Sequence, residues 1–127
     1  SDFANTAIAI GNGSAANARG DFAPTTPGSG NRAINVGTGN LVQSLGNLNR
    51  AINVGGNKFS PNNRVTAQGT FNRARNIGGN GNTVNAQGQI NRAFNLFANN
   101  NTTTANGNPS VHGTIGGAPP RVVVKFR

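Results

Sequence analysis

Apolar and polar positions alternate along short stretches of this chain, with a period of two residues. Between Val65 and Ile77 the odd-numbered positions include Val, Ala, Gly, Phe and Ile, whereas the even-numbered ones are mostly Thr, Gln and Asn. Such alternation is typical of β-strands, because successive side chains of a strand point to opposite faces. Runs of Gly and Asn at 37–40 and 78–81 interrupt the alternation and predict turns.

A short motif recurs along these predicted strands. NRAINVG stands at positions 31–37 and 49–55, and altered copies follow as NRARNIG at 72–78 and NRAFNLF at 91–97. A related copy that begins at Asn5 has Thr in place of Arg. Units that start near residues 5, 31, 49, 72 and 91 thus succeed one another at intervals of 18 to 26 residues. Each unit has room for two short strands and a turn, and it can bury a face only by stacking on its neighbours.

The repeat predicts an all-β fold, a β-solenoid or β-roll of about five stacked two-strand units followed by a C-terminal strand. The units differ mainly in three Gly-, Pro- and Asn-rich segments, 24–30, 58–63 and 99–110, which we interpret as loops. Composition alone would also fit a disordered segment, but a disordered chain has no reason to keep fixed positions in every unit. We place the solenoid domain at 1–118, and a Pro-Pro spacer with an assembly or capping strand at 119–127.

Stacking in register would align equivalent residues of the units in columns. The Asn residues of the motif would then form ladders of amide hydrogen bonds, as predicted for Asn31, Asn35, Asn49, Asn53, Asn72, Asn76, Asn91 and Asn95. One apolar column would comprise Val36, Val54, Ile77 and Leu96. A second, in which each residue follows a Gly-x pair, would comprise Phe22, Leu48, Phe71, Ile90 and Ile115. The pattern does not decide which face of the strands lies inside.

The charge balance adds a candidate site to this framework. Among 127 residues, eleven Lys and Arg face two acids, which gives a formal net charge of +9. Such an excess attracts nucleic acid, teichoic or other acidic glycans, anionic lipid or an acidic protein. The motif would stack its arginines in one column, which we call the arginine column: Arg32, Arg50, Arg73 and Arg92. We interpret it as a contact for a polyanion or another subunit; the alternative is a solvated column that keeps the protein soluble.

Catalytic chemistry has little to build on in this chain. It contains one His, two Asp and neither Glu nor Cys, so no acid–base pair and no thiolate metal site can be assembled. We therefore expect no enzyme activity, no cofactor, no metal and no small-molecule substrate. No apolar run has the length of a transmembrane segment. Because the chain starts at Ser1 and not at Met, we also expect a processed mature protein.

Two kinds of segment resemble bacterial surface proteins. NTAIAIGNGS at 5–14 is similar to repeats in the heads of trimeric autotransporter adhesins, which form β-rolls. QGTFNRA at 68–74 and QGQINRA at 87–93 resemble the Gln, Gly, Asn and Ala framework of curlin, a secreted subunit of functional amyloid. Curlin repeats separate Gln from Gly by one residue, whereas here the two are adjacent. The resemblance implies an exported bacterial β-repeat protein of the cell surface or the biofilm matrix.

The C-terminal segment RVVVKFR at 121–127 is the most strand-like stretch of the chain, with Val122, Val124 and Phe126 on one face. It could fold back and block the last unit, or it could pair with the next subunit. We expect the second, and hence a secreted structural subunit of an extracellular filament that assembles head to tail by strand stacking or donation. Adhesion to acidic polysaccharide would be a secondary property. The alternative is a non-polymerising secreted binding module whose arginine column recognises an acidic polymer.

Overall fold

The computed structural model describes residues 4–20, 29–55, 62–107 and 109–116, together with the backbone of 121–126. Within these residues the chain forms β-strands and no helix. The twelve strands are β1 (Thr6–Ile10), β2 (Ala15–Arg19), β3 (Arg32–Val36), β4 (Leu41–Asn47), β5 (Arg50–Val54), β6 (Arg64–Thr70), β7 (Arg73–Ile77), β8 (Thr83–Gln89), β9 (Arg92–Leu96), β10 (Thr102–Gly107), β11 (Ser110–Ile115) and β12 (Arg121–Phe126).

The strands form two sheets, to which successive segments of the chain contribute in turn. The seven-stranded sheet has the order β1-β3-β5-β7-β9-β11-β12, and the five-stranded sheet the order β10-β8-β6-β4-β2. The described pairings are parallel, except that β12 runs antiparallel to β11. Each copy of the motif supplies a strand of the larger sheet, and the segment after it supplies one of the smaller sheet. The predicted all-β solenoid of stacked two-strand repeats is confirmed.

The Asn and Ala side chains of the motif lie inside the solenoid, which answers the question that the sequence left open. In β7, Ala74 and Asn76 are buried, while Arg73 and Arg75 are exposed. The five-stranded sheet adds Val and Ala side chains from the opposite side. The resulting core contains Ala33, Val42, Ala51, Val65, Ala67, Ala74, Val84, Ala86, Ala93 and Ala105. Because these side chains are small, the core is thin, and its stability depends on the hydrogen bonds around it.

Two ladders of buried Asn side chains run along the stack. In the first, the backbone N–H of Asn72 donates to Oδ1 of Asn49 at 2.9 Å, and that of Asn91 donates to Oδ1 of Asn72 at 2.9 Å. Nδ2 of Asn72 also donates to the carbonyl of Gly88 at 2.7 Å, which ties the start of a unit to its end. In the second ladder, Asn53, Asn76 and Asn95 each donate Nδ2 to Oδ1 of the preceding Asn, at 2.7 to 3.0 Å. The amides thus satisfy backbone groups that the turns leave unpaired.

A third ladder, absent from our prediction, lies where the chain enters the five-stranded sheet. It comprises Asn40, Asn63, Asn82 and Asn101, and each later backbone N–H donates to the preceding Oδ1 at 2.9 to 3.1 Å. Nδ2 of Asn82 donates to the carbonyl of Ala98 at 2.7 Å. Each of these Asn residues stands two positions before a buried Val or Thr, so the sequence did hold a signal for them.

A column of glycines allows the units to approach closely where the five-stranded sheet ends. Gly46, Gly69, Gly88 and Gly107 are aligned by the strand register. Gly46 has φ +110°, and a Cβ atom at that position would lie 2.1 Å from the carbonyl oxygen of Gly69. A larger residue would therefore meet both backbone strain and a steric clash.

Two details of our repeat alignment are wrong. Residues 99–110 are not simply a loop, because Thr102–Gly107 forms β10 in register with β8. Gly113 and Ile115 do not belong to the Gly-x-apolar columns either: they lie in β11, opposite Phe94 and Leu96 of β9. The true member of the glycine column is Gly107, six positions earlier. A further member of the predicted apolar column, Phe22, lies outside the described residues.

The C-terminal strand pairs within its own chain. The register of β12 on β11 places Thr114 opposite Val122, His112 opposite Val124 and Ser110 opposite Phe126. This backbone pairing is the fold-back arrangement, the first of the two alternatives considered for this segment. Pro119 and Pro120 lie outside the described residues.

Candidate anion-binding surface

The arginine column stands on the outward face of the seven-stranded sheet. The strand register aligns Arg32 with Arg50, Arg50 with Arg73, and Arg73 with Arg92. Neighbouring strands of a sheet lie about 4.8 Å apart, so the four Cα positions extend over about 14 Å. Thr6 precedes the column in β1, and Val111 follows it in β11.

The local sequence explains why each arginine side chain points outward and why its backbone position is fixed. In every copy the arginine lies between an Asn and an Ala that are both buried, and strand alternation sends the residue between them to the opposite face. The arginine backbone is also held by the next unit: N–H of Arg50 donates to the carbonyl of Asn72 at 2.8 Å, and N–H of Arg73 to that of Asn91 at 2.8 Å. The column is therefore fixed by the same ladders that build the core.

Arg50 is the least exposed member of this column. Its side chain is half-buried, and Nε is buried without a hydrogen-bond partner among the described residues. Burial lowers the pKa of Arg50, and repulsion from Arg32, Arg73 and Arg75 lowers the pKa further. Both acids of the chain, at positions 2 and 21, lie outside the described residues, so the described part holds no Asp or Glu side chain. An anion against the exposed end of this guanidinium would offset the repulsion from the neighbouring arginines, although the buried Nε itself stays out of its reach.

Apolar side chains flank the arginine column on the same sheet face. The next outward column contains Ile52, Arg75 and Phe94, which are aligned by the register of β5, β7 and β9. Phe94 lies across the backbone of Gly113 on the neighbouring strand, where a Cβ would stand 2.0 Å from the ring. Together these residues line one shallow groove, formed by Arg50, Ile52, Arg73, Arg75, Arg92 and Phe94. The surface thus combines guanidinium groups with apolar contacts.

A second surface feature borders the arginines at the corner where the chain leaves the five-stranded sheet. Leu48, Phe71 and Ile90, which we call the corner column, are 49 %, 56 % and 58 % exposed. All three have left-handed backbone conformations, with φ of 55°, 58° and 60°. We had predicted an apolar column at these positions, but its exposure on the surface was not part of that prediction. The left-handed backbone conformation turns these side chains outward, and the alternation of polar and apolar residues does not predict that conformation.

His112 has a structural role that sequence reasoning missed. It occupies the inward position that Ala93 holds in the preceding strand. Its Nδ1 lies 2.8 Å from the carbonyl oxygen of Thr104 in β10. Beside it, the hydroxyl groups of Thr103 and Thr114 are 2.8 Å apart. These contacts satisfy polar groups at the outermost strand of the five-stranded sheet, and together with β12 they close this end of the solenoid.

Comparison with protein-family models, with curated proteins and with solved structures finds no match to this chain. In the part of the chain that the structure describes, no three His, Cys, Asp or Glu side chains lie close enough together to hold a metal ion. No helix in that part could span a membrane. The arginine column and its apolar borders are the features on which a functional argument can rest.

Proposed function

We propose that this protein is a secreted binding module whose solenoid presents the arginine column to polyanionic material of a cell surface or matrix. The observation that carries the proposal is the in-register alignment of four arginines on one outward sheet face, with no Asp or Glu side chain among the described residues to pair with them. Nothing in the fold requires cations there, because Thr6 occupies the same position in the first unit. The arginines therefore add a repulsion that the fold does not require, and a bound anion would reduce it.

The shape of the column favours a linear partner with several charges over a single small anion. Four guanidinium groups spread over about 14 Å can each contact a separate charged group of a polymer, whereas one phosphate reaches only one or two of them. Arginine also forms bidentate hydrogen bonds with phosphate, carboxylate and sulfate groups. The stacked backbone fixes the spacing of the four Cα positions before the ligand arrives, so that only the side chains have to be ordered on binding.

Salt-dependent binding of heparin, used as a model linear polyanion, tests the proposal. We expect Arg73→Gln to weaken binding roughly fivefold to tenfold at low salt and to reduce the slope of log affinity against log salt by about one. Arg64→Gln is the matched control, since Arg64 is equally exposed on the five-stranded sheet, beside the neutral residues Leu41 and Thr83. If both variants bind heparin alike, the attraction is a property of net charge alone and the proposed site is wrong.

A filament subunit is the second candidate function. It is favoured by the position of β1 and β2, which are the outermost strands of their sheets at one end of the described solenoid. Unpaired strand edges can accept strands from another chain. The pairing of β12 with β11 of the same chain supports the capped, non-polymerising alternative.

Removal of residues 121–127 separates the two candidates. Self-association is measured by light scattering of concentrated protein at low salt. If the shortened protein no longer self-associates whereas the full-length protein does, strand donation is supported. Increased self-association would support a cap, because the deletion exposes the edge of β11. Full-length protein that stays monomeric under these conditions would exclude the filament subunit.

A further inference from the structure

The corner column contains residues that the fold itself does not call for. Leu48, Phe71 and Ile90 adopt the left-handed conformation, which is strained for residues other than Gly and Asn and most of all for β-branched Ile. The corner backbone is held in this state from outside: N–H of Phe71 donates to the carbonyl of Asn47, and N–H of Ile90 to that of Thr70, both at 3.0 Å. The turn must therefore be left-handed whichever side chain it carries.

The second unit shows what the turn needs for stability alone. Gly30 precedes Asn31 as Leu48 precedes Asn49, and it has φ +69°. Glycine takes this conformation without strain. The three later units carry large apolar residues at this position, and about half of each side chain is in contact with solvent. Turn geometry does not account for that choice. Packing accounts for only part of each side chain, as where Leu48 lies over the backbone of Gly30, and the exposed half is what an interaction with a partner would cover.

The neighbours of the corner column indicate the chemistry of that partner. On one side, two residues further along the chain, stand Arg50, Arg73 and Arg92 of the arginine column. On the other side, one residue earlier, stand Asn47, Thr70 and Gln89, which are uncharged and polar. The apolar corner is thus bordered by three cations and by no carboxylate among the described residues. A partner must offer an apolar phase and negative charge side by side.

We propose that the corner column inserts into the interface of an anionic lipid bilayer while the arginines bind the headgroup phosphates. This inference rests on the proposed function and names the polyanionic material as a lipid surface. A bilayer satisfies both requirements, because its acyl chains lie directly below its charged headgroups. Pairing of two corner columns from two copies of the chain fits less well, since it would bring their arginine columns together.

The geometry of insertion follows from the stack. Three corner residues in successive units extend over about 10 Å, so they enter the interface as one short apolar edge. The arginines lie beside this edge, where long cationic side chains reach phosphate groups while their methylene groups remain in the apolar zone. The adjacent polar residues stay in water on the opposite flank.

Co-sedimentation with vesicles tests the insertion. We expect binding to phosphatidylcholine vesicles that contain phosphatidylglycerol, and little binding to phosphatidylcholine alone. The variants Phe71→Asn and Ile90→Asn should each weaken binding to the anionic vesicles roughly fivefold to tenfold, because each removes a half-exposed apolar side chain from insertion. Asn tolerates the left-handed conformation, so the turn should be retained.

Phe97→Asn is the matched control. Phe97 is 71 % exposed and also has a left-handed backbone, with φ 56°, but it follows β9 and so lies at the opposite corner of the solenoid. Its replacement should change vesicle binding by less than about twofold, since an insertion at one corner leaves the other in water. Circular dichroism of every variant would show that the fold is retained.

The possible results separate this inference from the proposed function. If Arg73→Gln weakens binding to vesicles and heparin while Phe71→Asn and Ile90→Asn leave vesicle binding intact, insertion is wrong and the arginine column stands. Equal binding to neutral vesicles would also overturn the inference, since anionic headgroups would not be needed. A change of oligomeric state in Phe71→Asn, seen by sedimentation equilibrium without loss of vesicle binding, would make the corner a contact between copies. If neither heparin nor anionic vesicles bind the unmodified protein, the proposed function fails as well.

Discussion

The two sheets of this solenoid have similar interiors and different exteriors. At the central outward positions the five-stranded sheet carries Thr66 and Asn85, whereas the seven-stranded sheet carries Arg75 and Phe94. The inward positions of both sheets hold only small apolar side chains and Asn or Ser along β3 to β9. Stacking constrains the interior, because every inward residue touches its copy in the next unit. The exterior is free of that constraint, so the stacked arginines of the seven-stranded sheet are not required by folding.

The largest expected effect comes from breaking the interior. Asn72→Ala removes an amide that donates to the carbonyls of Gln68 and Gly88, both at 2.7 Å, and accepts from the backbone of Asn91. Because the buried N–H of Asn91 loses its acceptor and two part-buried carbonyls lose their donor, we expect a loss of roughly 2–4 kcal/mol in the free energy of unfolding. Urea denaturation followed by circular dichroism measures this loss.

Asn85→Ala is the exterior counterpart. Asn85 faces outward on β8, and its Oδ1 is buried without a partner in the described part of the chain. We expect its replacement to change the free energy of unfolding by less than about 0.5 kcal/mol. Similar losses for the two variants would show that the Asn ladders do not support the fold as we describe.

A smaller effect of opposite sign is expected on the charged exterior. Arg50→Thr copies the residue that the first unit carries and removes a cation repelled by Arg32 and Arg73. We expect a gain of about 0.2–1 kcal/mol in the free energy of unfolding at low ionic strength. The gain should shrink as salt screens the column. Thermal unfolding in a series of NaCl concentrations measures both.

The reciprocal change adds a stacked arginine to the five-stranded sheet. Thr83→Arg places a second cation beside Arg64 on the five-stranded sheet, where the register aligns these residues. It should destabilise the protein by a similar amount, about 0.2–1 kcal/mol, again only at low salt. If neither Arg50→Thr nor Thr83→Arg changes the melting temperature, water fully screens the repulsion between stacked arginines.

A small change in stability is also expected at the corner. Ile90→Gly relieves left-handed strain, but it also removes half-buried apolar surface and gives the unfolded chain more freedom. These contributions oppose one another, so we expect the free energy of unfolding to change by less than about 1 kcal/mol. Chemical denaturation checks this value. A large loss would show that Ile90 is a packing residue, and the corner column would then need no external partner.

The sequence was sufficient to predict the fold because inward positions repeat in every unit. Asn, Ala and the apolar residue after them are spaced alike in NRAINVG, NRARNIG and NRAFNLF, so alignment of the copies predicts the strand register. The segments between copies vary in length, and this hid the ladder of Asn40, Asn63, Asn82 and Asn101. In β11, Ser110 replaces Asn and His112 replaces Ala, so this last copy of the motif was not recognised.

The candidate site was less predictable than the fold. The arginine column follows from register alone, but the burial of Arg50 Nε depends on how neighbouring side chains cover it. The exposure of Phe71 and its neighbours in the corner column depends on backbone φ, which hydrophobic alternation does not encode. Apart from the arginines, outward residues repeat less strictly than inward ones, and their contacts can be found only in three dimensions.

His112 marks the place where the repeat ends. The exchange of the inward Ala for His occurs in the strand that follows the last complete unit, and its ring contacts one carbonyl, that of Thr104, on the outermost described strand of the five-stranded sheet. Gene duplication could therefore add units between the first and the last without disturbing either end. Each added unit would lengthen the row of arginines by one step of about 4.8 Å. If the arginine column binds polyanions as we propose, avidity for an extended anionic surface would grow with the number of units, although no unit would need a new kind of contact.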